Sequence, residues 1–269
     1  MTDQKQKAKF RIRKSALTLT ACGVLLGSSF AAVGMRDDGT HHIAAHHGTL
    51  SSCITDFNEA SARPTRWEDL QQRMPDAHGE PVLIVPGFLG NDFYMSSLES
   101  TLSNKGYTTY GWEQGINTGP SPDAAAGLLQ KLQDIYKTHG QAKVSIVGYS
   151  LGGVYARELA RAYPDMVQSV ITLGAPFAMD DTRTAEIQTI YAGQRNSAFV
   201  STQTAPPVPT TSLYSKGDWV VNYQYSLHGP GTAAEDIEIH GGHIMMPFSK
   251  EAATITLCQL AKAAPRPKP

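Results

Sequence analysis

The sequence of 269 residues predicts an α/β fold, with a mainly parallel central sheet and helices on both of its faces. Short apolar runs alternate along the chain with longer segments in which apolar residues recur at helical spacing. The apolar runs lack an in-out alternation, which is typical of strands that are buried on both sides in a parallel sheet. The loops after several runs hold glycines and polar side chains, and such loops gather at the carboxyl edge of a parallel sheet. We place this domain in residues 81–262.

The first half of the domain is predicted to hold two strands and two helices. Pro81–Val85 is the first strand and ends at a Pro-Gly turn. Apolar residues then recur at helical spacing from Met95 to Leu102, and Tyr107–Trp112 is rich in the aromatic and β-branched residues of a second strand. A second helix begins at Ser121-Pro122 and ends near Gly140, because glycine is favoured just past a helix C terminus.

The second half is predicted to hold four strands and two helices. Val144–Val147 is a strand, and the helix that follows from Gly153 ends before Pro164, since the residue preceding a proline avoids helical geometry. The remaining elements are three strands and a final helix, in Val170–Leu173, Thr211–Tyr214, Ile237–Ile239 and around Ala252–Cys258.

The stretch Gly148–Gly152 reads Gly-Tyr-Ser-Leu-Gly between a predicted strand and a predicted helix. The pattern G-x-S-x-G in this context forms a sharp turn that exposes the serine Oγ above the N terminus of the helix. Gly148 and Gly152 are needed because the two sides of the turn crowd one another and glycine has no Cβ. Ser150 is therefore the candidate nucleophile.

A serine nucleophile needs a base, and the base needs an orienting carboxylate. Asp218 lies in a Lys-Gly-Asp turn after a predicted strand, where the alternative is an aspartate that only accepts hydrogen bonds from backbone N–H groups. We assign the base to His243, which falls in the loop just beyond the last strand. His240 continues the alternation of that strand, and we expect His240 and His228 to be structural or solvated.

Acyl chemistry at a serine also needs hydrogen-bond donors for the oxyanion that forms. The backbone N–H of Leu151, at the N terminus of the helix, is one candidate. The other is the N–H of Phe88 in the Pro-Gly-Phe loop, for which a simple turn is the alternative interpretation. The position of this loop directly after the first strand favours the oxyanion hole.

Five motifs, kept in order and spacing from Pro81 to Leu260, together resemble the bacterial esterase/lipase-like family of α/β-hydrolases: Val-Pro-Gly-Phe-Leu-Gly, Gly-Tyr-Ser-Leu-Gly-Gly, Ile-Thr-Leu-Gly-Ala-Pro-Phe, Tyr-Ser-Lys-Gly-Asp-Trp-Val-Val and Gly-Gly-His-Ile. The resemblance implies the α/β-hydrolase fold and a catalytic triad of Ser150, Asp218 and His243 in that chain order. It also implies an acyl-enzyme route for small-molecule or lipid esters, without a cofactor. An acyltransferase or polyester depolymerase on the same triad is the alternative, and a non-catalytic binding protein is a third hypothesis, because a fold does not by itself fix a function.

Residues 178–208 have little strand character and allow two interpretations. They form a cap or lid over Ser150, with Phe177, Ile187, Ile190, Tyr191 and Phe199 as an apolar wall, or they are a connecting loop with a packed helix. The sequence leaves both open.

Residues 1–34 have the pattern of an export signal, with a basic segment that ends at Lys14, an apolar run and small residues at its end. We expect a periplasmic or secreted protein that is cleaved near Ala31 or Gly34, and an uncleaved segment that associates with the membrane is the alternative. A lipoprotein-like box ends at Cys22, but the apolar run continues well past it, which disfavours lipidation.

Residues 35–80 are predicted to be a loop-rich extension, and residues 263–269 a Pro-rich tail. The run His41–His47 has no acidic or thiol partners at fixed spacing, so we interpret it as a solvated linker and expect no metal site. Once Cys22 is assigned to the signal, Cys53 and Cys258 remain, and in an oxidising compartment they are candidates for a disulfide. Two buried free thiols are the alternative.

The formal charge of −1 conceals an asymmetry between the N terminus and the rest of the chain. Residues 1–34 hold six basic residues and one acidic residue, so the remainder of the chain has 17 basic against 23 acidic residues. A mildly acidic body lacks the clustered Lys and Arg of a surface that tracks phosphates. We therefore expect no nucleic-acid partner.

Signal cleavage predicts the mass of the exported protein. We expect the intact mass of the mature chain to correspond to a start just after Ala31 or Gly34, because these small residues end the apolar run. Intact-mass spectrometry of the exported protein measures this mass, and a value that corresponds to a chain starting at Met1 would contradict cleavage.

Overall fold

Six parallel strands form the central sheet, in the order β2-β1-β3-β4-β5-β6. The computed structural model describes residues 66–179, 182–195, 203–230 and 233–264. The predicted signal segment, the run His41–His47 and Cys53 lie outside them. The strands are Pro81–Val85 (β1), Thr108–Tyr110 (β2), Val144–Tyr149 (β3), Val167–Leu173 (β4), Thr210–Tyr214 (β5) and Glu235–Glu238 (β6). The prediction of an α/β fold with a parallel sheet is confirmed.

The described residues also contain six α-helices and two 3₁₀ helices. The α-helices are Trp67–Arg73 (α1), Asp92–Asn104 (α2), Pro122–Thr138 (α3), Leu151–Ala162 (α4), Thr182–Arg195 (α5) and Lys250–Ala263 (α6), and the 3₁₀ helices are Tyr223–Ser226 and His243–Phe248. Two apolar cores lie on the two faces of the sheet, one built with α2 and α6 and the other with α3, α4 and α5. None of these helices is long and apolar enough to cross a membrane.

The strand predicted for Tyr107–Trp112 is shorter in the structure, where β2 spans Thr108–Tyr110. This strand lies at the edge of the sheet and pairs only with β1. Beyond β2 the backbone no longer pairs with β1, and the N–H of Trp112 donates instead to Oδ1 of Asp92 at 2.7 Å. A side-chain carboxylate therefore ends the strand earlier than its composition indicates.

The loop-rich segment predicted for residues 35–80 contains the helix α1 near its end. Leu70 and Met74 are buried, and the helix packs against α6. Gln71 donates a hydrogen bond to Thr254 at 2.9 Å, which ties the two helices together. Trp67, Leu70 and Met74 are spaced by three and four residues and form one apolar stripe. The prediction of a loop-rich segment overlooked this helical spacing.

Cys258 lies in α6, is fully buried and is disulfide-bonded. Its partner lies outside the described residues, so the pairing with Cys53 stays a prediction.

Because Leu70 is 2% exposed, α1 is expected to contribute to the stability of the domain. Leu70→Ala should lower the free energy of unfolding by about 3 kcal/mol, because it removes buried methyl groups and leaves a cavity. Leu89→Ala is the matched control, since Leu89 is 67% exposed and should change the same quantity by less than about 0.5 kcal/mol. Urea unfolding of both variants measures the effect, and equal stabilities would show that α1 is not part of the folded core.

Candidate active site

Ser150 lies in the sharp turn between β3 and α4. Its backbone has φ 52° and ψ −123°, a conformation that non-glycine residues avoid and that costs about 1–3 kcal/mol. Hydrogen bonds hold the strained residue on both sides, because its N–H donates to the carbonyl of Leu173 at 2.8 Å and its carbonyl accepts from Gly153 at 2.9 Å. The strain is therefore maintained by the neighbouring strand and by the first turn of the helix.

The two glycines predicted from the motif stand where a side chain would not fit. A Cβ atom on Gly148 would lie 2.5 Å from the carbonyl oxygen of Gly152, which is the crowding expected across the turn. A Cβ atom on Gly152 would overlap the carbonyl oxygen of Val85, at the end of the neighbouring strand β1. Both glycines let the helix approach the sheet closely enough to present Ser150 at its edge.

Ser150, His243 and Asp218 form a continuous hydrogen-bonded chain. Nε2 of His243 lies 2.9 Å from Oγ of Ser150, and Nδ1 of the same ring lies 2.6 Å from Oδ2 of Asp218. The side chains of His243 and Asp218 are 5% and 2% exposed. Since the carboxylate accepts at Nδ1, the imidazole presents its other nitrogen to the serine, which is the arrangement for removing the hydroxyl proton.

Asp218 makes both kinds of contact considered for it, one with each oxygen. Oδ1 accepts hydrogen bonds from the backbone N–H groups of Val220 and Val221 at 2.9 and 2.8 Å, and Oδ2 accepts from His243. The same carboxylate therefore accepts the backbone hydrogen bonds of its turn and contacts the imidazole. Two backbone donors fix the plane of the carboxylate, so its second oxygen points in a fixed direction toward the imidazole.

The Pro86-Gly87-Phe88 turn lies directly beside the serine. A Cβ atom on Gly87 would lie only 2.9 Å from Cβ of Ser150. No acceptor is found among the described residues for the N–H of Phe88 or for that of Leu151, the first residue of α4. Both N–H groups belong to residues that line the same cleft as Ser150, so both are available to an oxygen atom bound there.

Asn117, which the sequence reasoning missed, holds this turn in place. It is fully buried and donates from its side chain to the carbonyl of Pro86 at 2.9 Å. Its backbone carbonyl accepts from Leu89 at 2.7 Å, and its N–H donates to the carbonyl of Gly90 at 2.8 Å. In the sequence it is one more polar residue in a glycine-containing loop, so no local signal distinguishes it.

His228 is buried like His243, but its ring contacts Arg157 and Asp236 and not Ser150. Its side chain is 1% exposed, with Nδ1 at 2.6 Å from Asp236 and Nε2 at 2.6 Å from the guanidinium of Arg157. Because a guanidinium only donates, Nε2 must accept and Nδ1 must carry the proton. Burial lowers the pKa of Arg157 to about 9, and the guanidinium lies 3.7 Å above the ring of Phe177. The network joins α4 to β6 and to the loop before it.

His240 lies beyond β6, with its side chain 62% exposed and its ring at 3.2 Å from Glu251. The described residues contain no cluster of three His, Cys, Asp or Glu side chains that would hold a metal ion.

Ser150 lies on a cleft of about 440 Å³ with mainly apolar walls. From the predicted cap segment, Met179 and Thr184 reach this cleft. Phe177, Ile187 and Tyr191 instead pack into the core between α5 and the sheet. Helix α5 thus packs its apolar side chains against the sheet. Phe199, the last residue of the predicted wall, lies outside the described residues, so the cap over Ser150 stays a prediction.

The two structural histidines differ in burial, which predicts different costs of removal. His228→Ala should lower the free energy of unfolding by about 3 kcal/mol, because it removes a buried ring and leaves the buried guanidinium of Arg157 without its contact at Nε2. His240→Ala should lower the free energy of unfolding by less than about 0.5 kcal/mol, because the side chain of His240 is exposed and an exposed contact to Glu251 contributes little. Denaturant unfolding compares the two, and equal losses would argue against a structural network at His228.

Comparison with known proteins agrees with this architecture. Residues 80–190 match the family model of the alpha/beta hydrolase fold. A triacylglycerol lipase from Pseudarthrobacter phenanthrenivorans is 30% identical over 104 residues, which are 36% of this chain and 33% of that protein. The human serine hydrolase BPHL is 29% identical over 137 residues, or 47% of this chain and 45% of that protein. The chain thus spans between a third and a half of the length of these curated relatives.

Among solved structures, the monoacylglycerol lipase of Paleococcus ferrophilus superposes with a TM-score of 0.50, covering 70% of this chain and 97% of that chain. The two are 12% identical, so this likeness shows the fold alone. The resemblance inferred from the five motifs is confirmed. With the matched segment, the parallel sheet and the strained serine turn, the chain has the α/β-hydrolase fold and is similar to esterase/lipase-like proteins of that fold.

Proposed function

We propose that the protein is a serine hydrolase that cleaves carboxylic esters through an acyl-enzyme intermediate on Ser150. The observation that carries this proposal is the hydrogen-bonded chain from Asp218 through His243 to Ser150, which ends in an apolar cleft. The family match covers residues 80–190 and therefore includes the serine but neither the acid nor the base. The roles of Asp218 and His243 rest on their geometry.

In the acylation half of the reaction, Nε2 of His243 takes the proton from Oγ of Ser150 as the oxygen attacks the ester carbonyl carbon. The negative charge that develops on the carbonyl oxygen is stabilised by the N–H groups of Phe88 and Leu151. Asp218 accepts from Nδ1 throughout and stabilises the imidazolium. When the tetrahedral intermediate collapses, the imidazolium gives its proton to the leaving alcohol, and the acyl group stays on the serine.

Deacylation repeats these steps with water as the nucleophile. His243 takes a proton from the water as it attacks the acyl carbon, and the same two N–H groups stabilise the second oxyanion. Collapse breaks the bond to Oγ, which receives the proton back from the imidazolium. The products are an alcohol and a carboxylic acid, and the triad returns to its starting state.

The surroundings of the cleft support an ester with an apolar acyl group. The large apolar side chains that are exposed among the described residues all lie in loops or helices that follow a strand, and we call them the apolar rim: Phe88, Leu89, Phe93, Ile116, Trp219, Val220, Tyr225, Ile244, Met245 and Phe248. Four of them, Phe88, Leu89, Val220 and Ile244, line the cleft that holds Ser150. Exposed apolar side chains that gather at a cleft are typical of a binding region. An apolar acyl chain entering the cleft between these side chains loses contact with water, which favours binding.

The proposed nucleophile is tested with nitrophenyl esters of short and long acyl chains. Ser150→Ala should lower kcat by on the order of 10⁵-fold while the protein remains folded, because the acyl-enzyme cannot form. Ser100→Ala, an exposed serine in α2, is the matched control and should retain wild-type turnover. Turnover that survives in Ser150→Ala would contradict the assignment, and a wild-type protein that turns over no ester would favour a binding function.

The proposed base is tested in the same assay with two histidine variants. His243→Ala should lose turnover to a similar extent as Ser150→Ala, because the serine then has no group to accept its proton. His240→Ala should stay within about twofold of the wild-type kcat, since its side chain is exposed and pairs with Glu251. Loss of turnover in His240→Ala with turnover spared in His243→Ala would reverse the assignment of the base.

A further inference from the structure

The main chain that carries His243 follows two glycines and needs support from outside its own loop. Gly241 has φ 101° and Gly242 caps the 3₁₀ helix that begins at His243, so the local backbone is intrinsically permissive. Asp218 holds the imidazole ring at one nitrogen, but it does not hold the peptide from which the ring projects. The position of Nε2 relative to Ser150 therefore depends on what fixes the backbone of this loop.

Two tyrosine hydroxyls fix two consecutive carbonyl groups of that loop. The hydroxyl of Tyr149 donates to the carbonyl of His243 at 3.1 Å, and the hydroxyl of Tyr94 donates to the carbonyl of Ile244 at 2.5 Å. The ring of Tyr149 also packs against the imidazole, with 5.1 Å between ring centres. Both the peptide and the ring of His243 thus contact Tyr149.

The two tyrosines come from the other loops of the active site. Tyr149 directly precedes Ser150 at the end of β3, and Tyr94 lies in the first turn of α2, three residues after Asn91, whose side chain accepts from the N–H of Tyr94. The tyrosine rings lie 5.7 Å apart, and Phe248 packs edge-on against Tyr94 at 5.1 Å. Each hydroxyl therefore connects the histidine loop to a different segment of the site. Tyr149 connects it to the serine turn, and Tyr94 connects it to α2, the helix that follows the Pro86-Gly87-Phe88 turn.

We propose that Tyr149 and Tyr94 are positioning residues, which hold the His243 loop in register with Ser150 through these two hydroxyl-to-carbonyl hydrogen bonds. This inference rests on the proposed function, because it assigns a consequence to the alignment of the base and the nucleophile. The tyrosines act through His243 and do not take part in proton transfer themselves.

The surroundings of the hydroxyls suit donors that never ionise. Burial raises the pKa of Tyr149 far above its ordinary value, with further contributions from Tyr94 and Asp218, and burial also raises the pKa of Tyr94. Both phenols therefore keep their protons over the whole working range of pH. A phenol that remains protonated is a permanent donor to a carbonyl, as a fixed support requires.

The test removes one oxygen atom at a time, with Tyr149→Phe and Tyr94→Phe in the full chain. Each variant should lower kcat for a short-chain nitrophenyl ester by about tenfold and leave KM within about twofold, because a small displacement of a catalytic group slows the chemical step more than it weakens binding. In proton NMR spectra, the low-field signal of the Nδ1 proton shared by His243 and Asp218 should shift or broaden in Tyr149→Phe.

Tyr191→Phe is the matched control. Like Tyr149, Tyr191 is a buried tyrosine whose hydroxyl donates to a backbone carbonyl, that of Ala125 at 3.2 Å, but it lies in the core on the other face of the sheet. It should lose a comparable amount of thermal stability and keep both the wild-type kcat and the wild-type low-field signal. This control separates a general loss of stability from a loss of alignment.

The proposal is overturned if both Tyr149→Phe and Tyr94→Phe match Tyr191→Phe in kcat and in the low-field signal. The NMR signal also separates this inference from the proposed function. If the wild-type protein hydrolyses no ester, the proposed function fails, and a low-field signal that changes in Tyr149→Phe but not in Tyr191→Phe would still support the positioning role. An unchanged signal in that case would overturn it.

Discussion

The strained backbone of Ser150 is the constraint on which the rest of the active-site edge depends. A residue at φ 52° and ψ −123° stays there only because its surroundings leave it no alternative. Gly148 and Gly152 let backbone atoms approach where a Cβ would overlap them, and the hydrogen bond to Leu173 anchors the residue to the neighbouring strand. The cost of about 1–3 kcal/mol is offset by the packing of α4 on the sheet. The residues of this helix are buried along almost its whole length.

Around this fixed point the polar groups are satisfied in a way that leaves few of them free to reorient. Asp218 uses one oxygen for two backbone donors and the other for His243, and Asn117 is hydrogen-bonded to three residues of the turn after β1, Pro86, Leu89 and Gly90. Such saturation matters for the chemistry, because a catalytic group held by several partners does not have to reorganise as charge develops. The N–H groups of Phe88 and Leu151 lack acceptors among the described residues and are, under the proposed function, the donors that remain for a substrate.

Local patterns predicted a large part of this arrangement. The apolar strands, the helical spacings and the glycine-bounded serine turn are short-range signals, and each gave its element within a few residues of the observed bounds. Ser150, Asp218 and His243 each follow a predicted strand, which was enough to expect them at one edge, since parallel strands end on the same side of a sheet. Helix α1 and the early end of β2 were missed, because each depends on a partner distant in the sequence: α6 for the helix and Asp92 for the strand.

The sequence by itself determined the fold class, the serine turn and the candidate triad, because these depend on residue type and on spacing along the chain. Only the tertiary structure decided which histidine faces Ser150, how Asp218 divides its two oxygens, and that Asn117, Tyr94 and Tyr149 support the loops around the site. The physical reason is that these roles consist of hydrogen bonds between segments that lie tens of residues apart. A buried tyrosine or asparagine leaves no periodic pattern, and its partner becomes defined only when the sheet brings the loops together.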